Sequence, residues 1–176
     1  MALFRSRDDL RNFLDARNVL VGHGIEAARL DSDMRHLRSR KALPSLIENW
    51  TGHLPLISPP YRSDVLVPVR SVRELREVAR HLRNCAASYS FDCLAGRSAF
   101  LRIQKGGVTV GAVHLERERG EWVISDIVGT ANRRPSRPTF ELVLSELRVA
   151  GFNASAEHGP TEWDKVQKFA RLPYNI

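Results

Sequence analysis

The feature that most constrains this chain is residues 71–98, SVRELREVARHLRNCAASYSFDCLAGRS, where a two-faced helical pattern gives way to a turn-rich segment and then to strands. On a helix drawn over residues 72–85, Leu75, Val78, Ala79 and Leu82 share one side. Arg73, Arg76, Arg80 and Arg83 form a stripe on the other, at spacings of three and four. Ser71 suits the N-cap, and Glu74 three residues later completes a capping box. The apolar side must be buried, so the arginines face outward. A solvated helix face accounts for such a stripe. A phosphate-tracking surface also accounts for it, and explains why the stripe is nearly all one sign.

Beyond this helix the period changes to alternation. Residues 99–103, 108–116 and 121–128 read as strands, separated by the turns Lys105-Gly106-Gly107 and residues 117–120, which makes a three-stranded antiparallel meander. Residues 129–138 are a loop. Pro138 and Thr139 then open a helix carrying Phe140, Val143, Leu144 and Leu147, which Gly151 ends. Residues 152–156 fit a fourth strand, and Pro160 opens a last helix with Trp163, Val166 and Phe169, ahead of a tail holding Pro173 and Tyr174. The fold class expected is α+β: an antiparallel sheet of three to four strands packed against helices, preceded by a helical N-terminal unit.

In that N-terminal unit Ser6 and Asp9 form a capping pattern, with Leu10, Phe13 and Leu14 as the apolar face ahead of Val19, Leu20 and Val21. Gly22-His23-Gly24 breaks the helix. A second is expected over residues 25–42, burying Ile25, Ala28, Met34 and Leu37, and Pro44 opens a turn with Leu46, Ile47 and Trp50. Pro55, Pro59, Pro60 and Pro68 exclude regular helix from the next stretch, though residues 64–69 suit a short edge strand. The chain thus divides into a helical unit over 1–51, a proline-rich connection over 52–68 and an α+β core over 69–176. Alternatively, Leu54, Leu56 and Ile57 tie the prolines over that core as a loop.

A chain of 176 residues can bury one proper core and add a small helical appendage. Its 27 Lys and Arg outweigh 20 Asp and Glu, and the net +7 favours a polyanionic partner. The surplus is concentrated in residues 61–97, where seven basic residues accompany four acidic ones, so it coincides with the arginine helix. No run approaches the roughly 20 apolar residues of a membrane span, and residues 1–14 lack the apolar core of a signal peptide. Two cysteines are too few for a disulfide-stapled secreted domain. A cytoplasmic protein without a membrane partner is expected.

The run Asn84-Cys85-Ala86-Ala87-Ser88-Tyr89, followed by Gly96, Ser98 and the strand hairpin, and later by Gly129 and Asn132, resembles the PcfJ-like proteins of conjugative plasmids and other mobile elements. The resemblance covers about residues 75–150. Asn84 stands where the family has histidine, and Asp126 where it has glutamine. The resemblance implies that Asn84, Cys85, Tyr89, Gly96, Ser98, Asp126, Gly129 and Asn132 are its motif positions, and implies an accessory role in a mobile element.

Among residues able to carry chemistry, His81 is one turn before Cys85 on the drawn helix, so the two could act as base and nucleophile. With Cys93 they could begin a zinc site, which only His114 or His158 could complete. The plainer expectation is that Cys85 is a buried structural thiol on the apolar side of the helix, capped by Tyr89. No cofactor or metal is expected. Arg133, Arg134 and Arg137 lie in the loop before a helix N-terminus, where backbone amides and the dipole favour an anion; a solvated connection is the alternative. Asp126, in an otherwise apolar strand, calls for a partner such as Arg102 or Arg134.

The function expected is a PcfJ-like accessory protein that binds DNA, RNA or a nucleoprotein complex through Arg73, Arg76, Arg80, Arg83, Arg133, Arg134 and Arg137. The N-terminal helices offer a place for a protein partner. Two alternatives come from other classes. One is an acyltransferase similar to the GNAT enzymes, holding a cofactor phosphate on the 129–138 loop; the other is an interaction module or inhibitor without catalysis.

Overall fold

The computed structural model describes Phe4 and residues 6–154. They form two compact units that divide between Leu54 and Pro55. The fold is α+β, with helices at the N-terminus and an antiparallel sheet packed with helices after them.

The first unit contains α1 (Arg7–Gly22), α2 (Ala27–His36) and α3 (Leu43–Thr51). Ser6 caps α1 as its sequence suggests, its Oγ accepting from the Asp9 amide at 3.1 Å. The buried face of α1 differs from the expected one. Phe13, Ala16, Val19 and Leu20 are buried, while Leu10 and Leu14 stay 43% and 46% exposed. The buried line runs through Ala16, an apolar position that a leucine-weighted reading passes over. The second helix also stops earlier than residue 42. Leu37 turns extended at φ −68°, ψ 109°, and Ser39 caps a separate 3-10 turn, Arg40–Ala42, by accepting from the Lys41 amide. Its buried residues are Leu30 and Met34, with Ile25 buried just ahead of it, whereas Ala28 is exposed and Leu37 half-buried. On α3, Ile47 and Trp50 are buried, and the Trp50 indole donates to Asp33 Oδ2 at 2.8 Å. Arg17 holds Asp31 through two bonds of 2.6 and 2.7 Å.

The second unit is built on the sheet β1 (Leu66–Pro68), β2 (Ser98–Lys105), β3 (Val108–Glu118), β4 (Glu121–Val128) and β5 (Asn153–Ala154), in that spatial order. The first four strands are antiparallel neighbours; β5 is two residues long and runs parallel to β4. Pro68 is accommodated because β1 is an edge strand. Both hairpins turn on two left-handed residues, Gly106-Gly107 (φ 57° and 78°) and Arg119-Gly120 (φ 48° and 94°), the handedness that matches strand twist.

The sheet is covered on both faces. Leu101, Val113 and Ile127 stand opposite one another across three strands, and with Leu115, Val143 and Leu147 of α6 (Arg137–Val149) and Phe152 they form one core. Neighbouring positions of β2 and β3 point the other way, toward α4 (Val72–Leu82) and α5 (Ser90–Leu94). Val72, Leu75, Val78, Ala79 and Leu82 of α4 are all buried, and Ser71 Oγ accepts from the Glu74 amide at 3.2 Å. The Glu74 carboxylate reaches back one residue further than a standard capping box, to the Arg70 amide at 2.9 Å. The residues ahead of β1 also lie on this unit: Leu56 and Pro59 are buried, Ser58 Oγ donates to the Val69 carbonyl, and Tyr61 packs on the core. The helix expected around Trp163 and the tail at Pro173 and Tyr174 lie outside the described residues.

Tyr61 also donates to Glu146 Oε2 at 2.8 Å, and hydrogen bonds from Ser63 and Tyr61 hold the Glu146 carboxyl below its ordinary range. A depressed carboxyl stabilises the fold above its unfolded value of about 4.3 and loses that contribution as pH falls through the folded value. The melting temperature of Tyr61→Phe should therefore trail the native protein's at neutral pH, and the gap should narrow below about pH 4. A gap that stays constant down to about pH 3 would show that the hydroxyl's contribution does not depend on an ionised Glu146.

Candidate functional site

The helix drawn over residues 72–85 ends at Leu82. Arg83 takes the left-handed conformation (φ 51°), its amide bonding back to Ala79 and Arg80, and the Asn84 amide bonds to the Ala79 carbonyl at 3.0 Å. This is a Schellman ending with arginine where glycine is usual. It turns Asn84 and Cys85 off the helix. Cys85 is consequently exposed, not buried on the apolar face as its sequence position suggests, and the buried thiol is Cys93. Asn84 Oδ1 accepts from the Ala86 amide at 3.1 Å and starts the 3-10 turn Ala86–Tyr89.

Below this turn, three cross-strand partners make a row on the sheet: Phe100 of β2, His114 of β3 and Asp126 of β4. Phe100 and His114 stack at 4.7 Å with 9° between their planes, and Tyr89 leans on His114 at 4.4 Å. His114 is only 5% exposed; its Nε2 lies 3.2 Å from Ser98 Oγ and 4.0 Å from Glu116 Oε1. Burial pushes the Tyr89 phenol up, and electrostatic interactions with Cys85, Glu116, Asp92 and Asp126 act in the same direction, so it remains a neutral hydroxyl at physiological pH.

Asp126 is placed by a bulge. Leu115 faces Ile124 but His114 faces Asp126, so Ser125 is an extra residue and the alternation of β4 shifts there. Asp126 is exposed, and its Oδ1 accepts from the Ile127 amide at 2.7 Å. The expected pairing with Arg102 or Arg134 does not form. The bulge brings the carboxylate to the sheet's rim, and the Arg134 guanidinium lies over the Phe140 ring at 5.1 Å.

After β4, Gly129 is tied to the Arg133 carbonyl at 2.7 Å, closing a 3-10 turn, Thr130–Asn132. Ala131 and Asn132 are both left-handed (φ 56° and 57°), a strain on the order of 1–3 kcal/mol per residue that asparagine bears better than alanine. The turn brings Asn132 Oδ1 to 3.4 Å from the Cys85 amide and 3.7 Å from its Sγ. Between these parts lies a cavity of about 270 Å³ lined by Cys85, Tyr89, His114, Asp126 and Asn132, with Asn84, Ala86, Phe100 and Val128 completing its wall.

The other motif positions lie around it. Ser98 contacts His114, Gly129 hinges the loop, and Gly96 takes a left-handed φ of 70° that a side chain would strain, with the movable Ile57 Cδ1 2.8 Å from where its Cβ would stand. His81 is not Cys85's partner; its Nε2 lies 2.9 Å from the Thr109 carbonyl. Cys93 is in the core, and burial and neighbouring Asp92 push its thiol far up. Among the described residues no three His, Cys, Asp or Glu side chains gather as a metal site.

The sequence alone places Phe100 only in a strand and marks His114 only as a residue able to complete a zinc site, not as part of this cavity. The available signal was the run Gly-Ala-Val-His-Leu: in a strand covered on both faces, a histidine must be buried and must find partners.

The arginines divide by environment. Arg73, Arg80, Arg83, Arg133, Arg134 and Arg137 are exposed and Arg76 is half-buried. Arg137 pairs with Glu141 at 2.7 Å on the open surface, where such pairs contribute little. Arg83 directly precedes Asn84 and Arg133 directly follows Asn132, so one arginine from the helix stripe and one from the loop flank the cavity-lining asparagines. No helix among the described residues is long and apolar enough to cross a membrane. The chain matches no family model, no curated protein and no solved structure.

Proposed function

We propose that the chain is a PcfJ-like accessory protein of a mobile genetic element, binding nucleic acid or a nucleoprotein complex through an arginine-rich surface centred on the cavity. The observation that carries the reading is that one exposed arginine from each set adjoins a cavity-lining asparagine in sequence, Arg83 next to Asn84 and Arg133 next to Asn132. Further support comes from the motif residues Asn84, Cys85, Tyr89, Asp126 and Asn132, which are far apart in sequence yet line this one cavity. An acyl-CoA phosphate site is less well supported. The Gly129 and Arg133 amides are spent inside the loop, and Pro138 removes another amide at the start of α6.

Each arginine that neutralises a phosphate releases counterions, so affinity for a single strand should fall with salt. Arg83→Gln with Arg133→Gln should reduce the slope of log affinity against log salt by roughly 1.4, about 0.7 for each lost contact. Arg148→Gln, on the exposed side of α6, should leave it unchanged. Fluorescence anisotropy across a salt series measures this. Absence of binding at physiological salt, or equal slopes in all variants, would leave the arginines as a solvated face.

A further inference from the structure

We propose that the cavity receives one unpaired nucleobase and selects the lactam edge, a ring N–H beside a carbonyl, carried by guanine and by thymine or uracil. This rests on the nucleic-acid reading above and names the group that its central cavity takes. The volume of about 270 Å³ lies just below the roughly 300–1,000 Å³ typical of clefts for drug-sized ligands, and so suits a single planar heterocycle. Its aromatic side is the packed set Tyr89, Phe100 and His114, of which Phe100 and His114 are buried and Tyr89 is half-buried, so that Tyr89 offers the ring for a base to stack on.

The polar groups specify the edge. Asn84 Oδ1 is taken by the Ala86 amide, while its Nδ2 is buried without a partner among the described residues. Asn132 turns its Oδ1 to Cys85, which leaves its Nδ2 as a donor. Asp126 spends Oδ1 on the Ile127 amide and retains Oδ2, an acceptor only. The Tyr89 hydroxyl stays protonated. The set therefore offers amide donors for carbonyl oxygens and a carboxylate for a ring N–H. Guanine, thymine and uracil supply both. Adenine or cytosine placed the same way would set a bare ring nitrogen against the carboxylate and an amino group against the amide donors, two mismatches that a lactam base does not meet.

The base could come from a free mononucleotide or from a strand, and the test separates the two. Calorimetry with GMP, UMP, AMP and CMP is paired with anisotropy on short homopolymer strands of thymidine, cytidine and abasic sites, each with the same number of phosphates. The expected result is that GMP and UMP bind at least about 10-fold tighter than AMP and CMP, and the thymidine strand at least about 10-fold tighter than the cytidine and abasic strands. Asp126→Asn should abolish that preference while keeping the bond from Ile127, since the amide retains an acceptor oxygen for it. If all strands bind alike, abasic ones included, the base pocket is overturned and the arginine surface stands. If mononucleotides show the preference and no strand binds, the strand reading is overturned and the pocket belongs to a free nucleotide. If nothing binds, both fall.

Discussion

Replacing Gly111 by alanine is expected to destabilise the sheet unit by about 3 kcal/mol, at the upper end of overpacking costs. Gly111 is buried in β3, opposite Ile103 of β2 and one residue before the β4 pairs begin. A Cβ there would stand 2.7 Å from the Val128 carbonyl oxygen and 3.0 Å from Ile103 Cδ1. The isoleucine tip can rotate away, but the carbonyl belongs to backbone held in the sheet, so the end of β4 would have to move. Val128 lines the cavity and leads directly into Gly129, so the same displacement would disturb the loop that carries Asn132. Gly22→Ala is the control: nothing lies within 4 Å of its Cβ position, and that change should be neutral or slightly stabilising. Urea unfolding of the two variants measures the contrast. Equal stabilities would mean that β4 yields at little cost and that the register around Gly111 is loose.

How far the sequence revealed this architecture depended on whether each signal was local. The cap at Ser71, the buried side of α4 and the two hairpins could be read because periodicity and turn glycines act over a few residues. Arg83 hid the end of α4, since a left-handed cap is usually signalled by glycine. Ser125 concealed the exposure of Asp126, because one inserted residue resets the alternation and only the partner strand reveals it. Five of the nine residues lining the cavity, Asn84, Cys85, Tyr89, Asp126 and Asn132, are singled out in the sequence, but their meeting could not be derived. It depends on the Phe100–His114–Asp126 register and on the left-handed Ala131-Asn132 turn, both set by pairings far apart in the chain. His114 stands in the sequence only as a candidate zinc ligand for the same reason: its place in the cavity depends on what the fold sets beside it.

The two thiols should react very differently with iodoacetamide. Cys85 is exposed, on a turn at the cavity rim, and should be alkylated in the native protein. Cys93 is fully buried, and both burial and the charge of Asp92 oppose formation of its thiolate, the species that reacts. Its labelling must therefore wait for the unit to open. With an opening free energy of about 5 kcal/mol or more, that makes Cys93 slower by a factor on the order of 10³ or greater. Native protein should take up one label quickly, and the second only when denaturant is added, as mass spectrometry of peptides would show. Stability should follow the reverse order. Cys85→Ser is expected to change it by no more than about 0.5 kcal/mol, as for a surface site, whereas Cys93→Ser, which buries a hydroxyl in place of a thiol, should cost about 1–3 kcal/mol. Equal native labelling of both would refute the burial of Cys93. A Cys85 that resists alkylation would return the helix to its longer form, with the thiol on the apolar side. Because Cys85 borders the cavity, its labelling also reports on occupancy: a bound base should slow Cys85 and leave the denaturant-dependent labelling of Cys93 to track global stability alone.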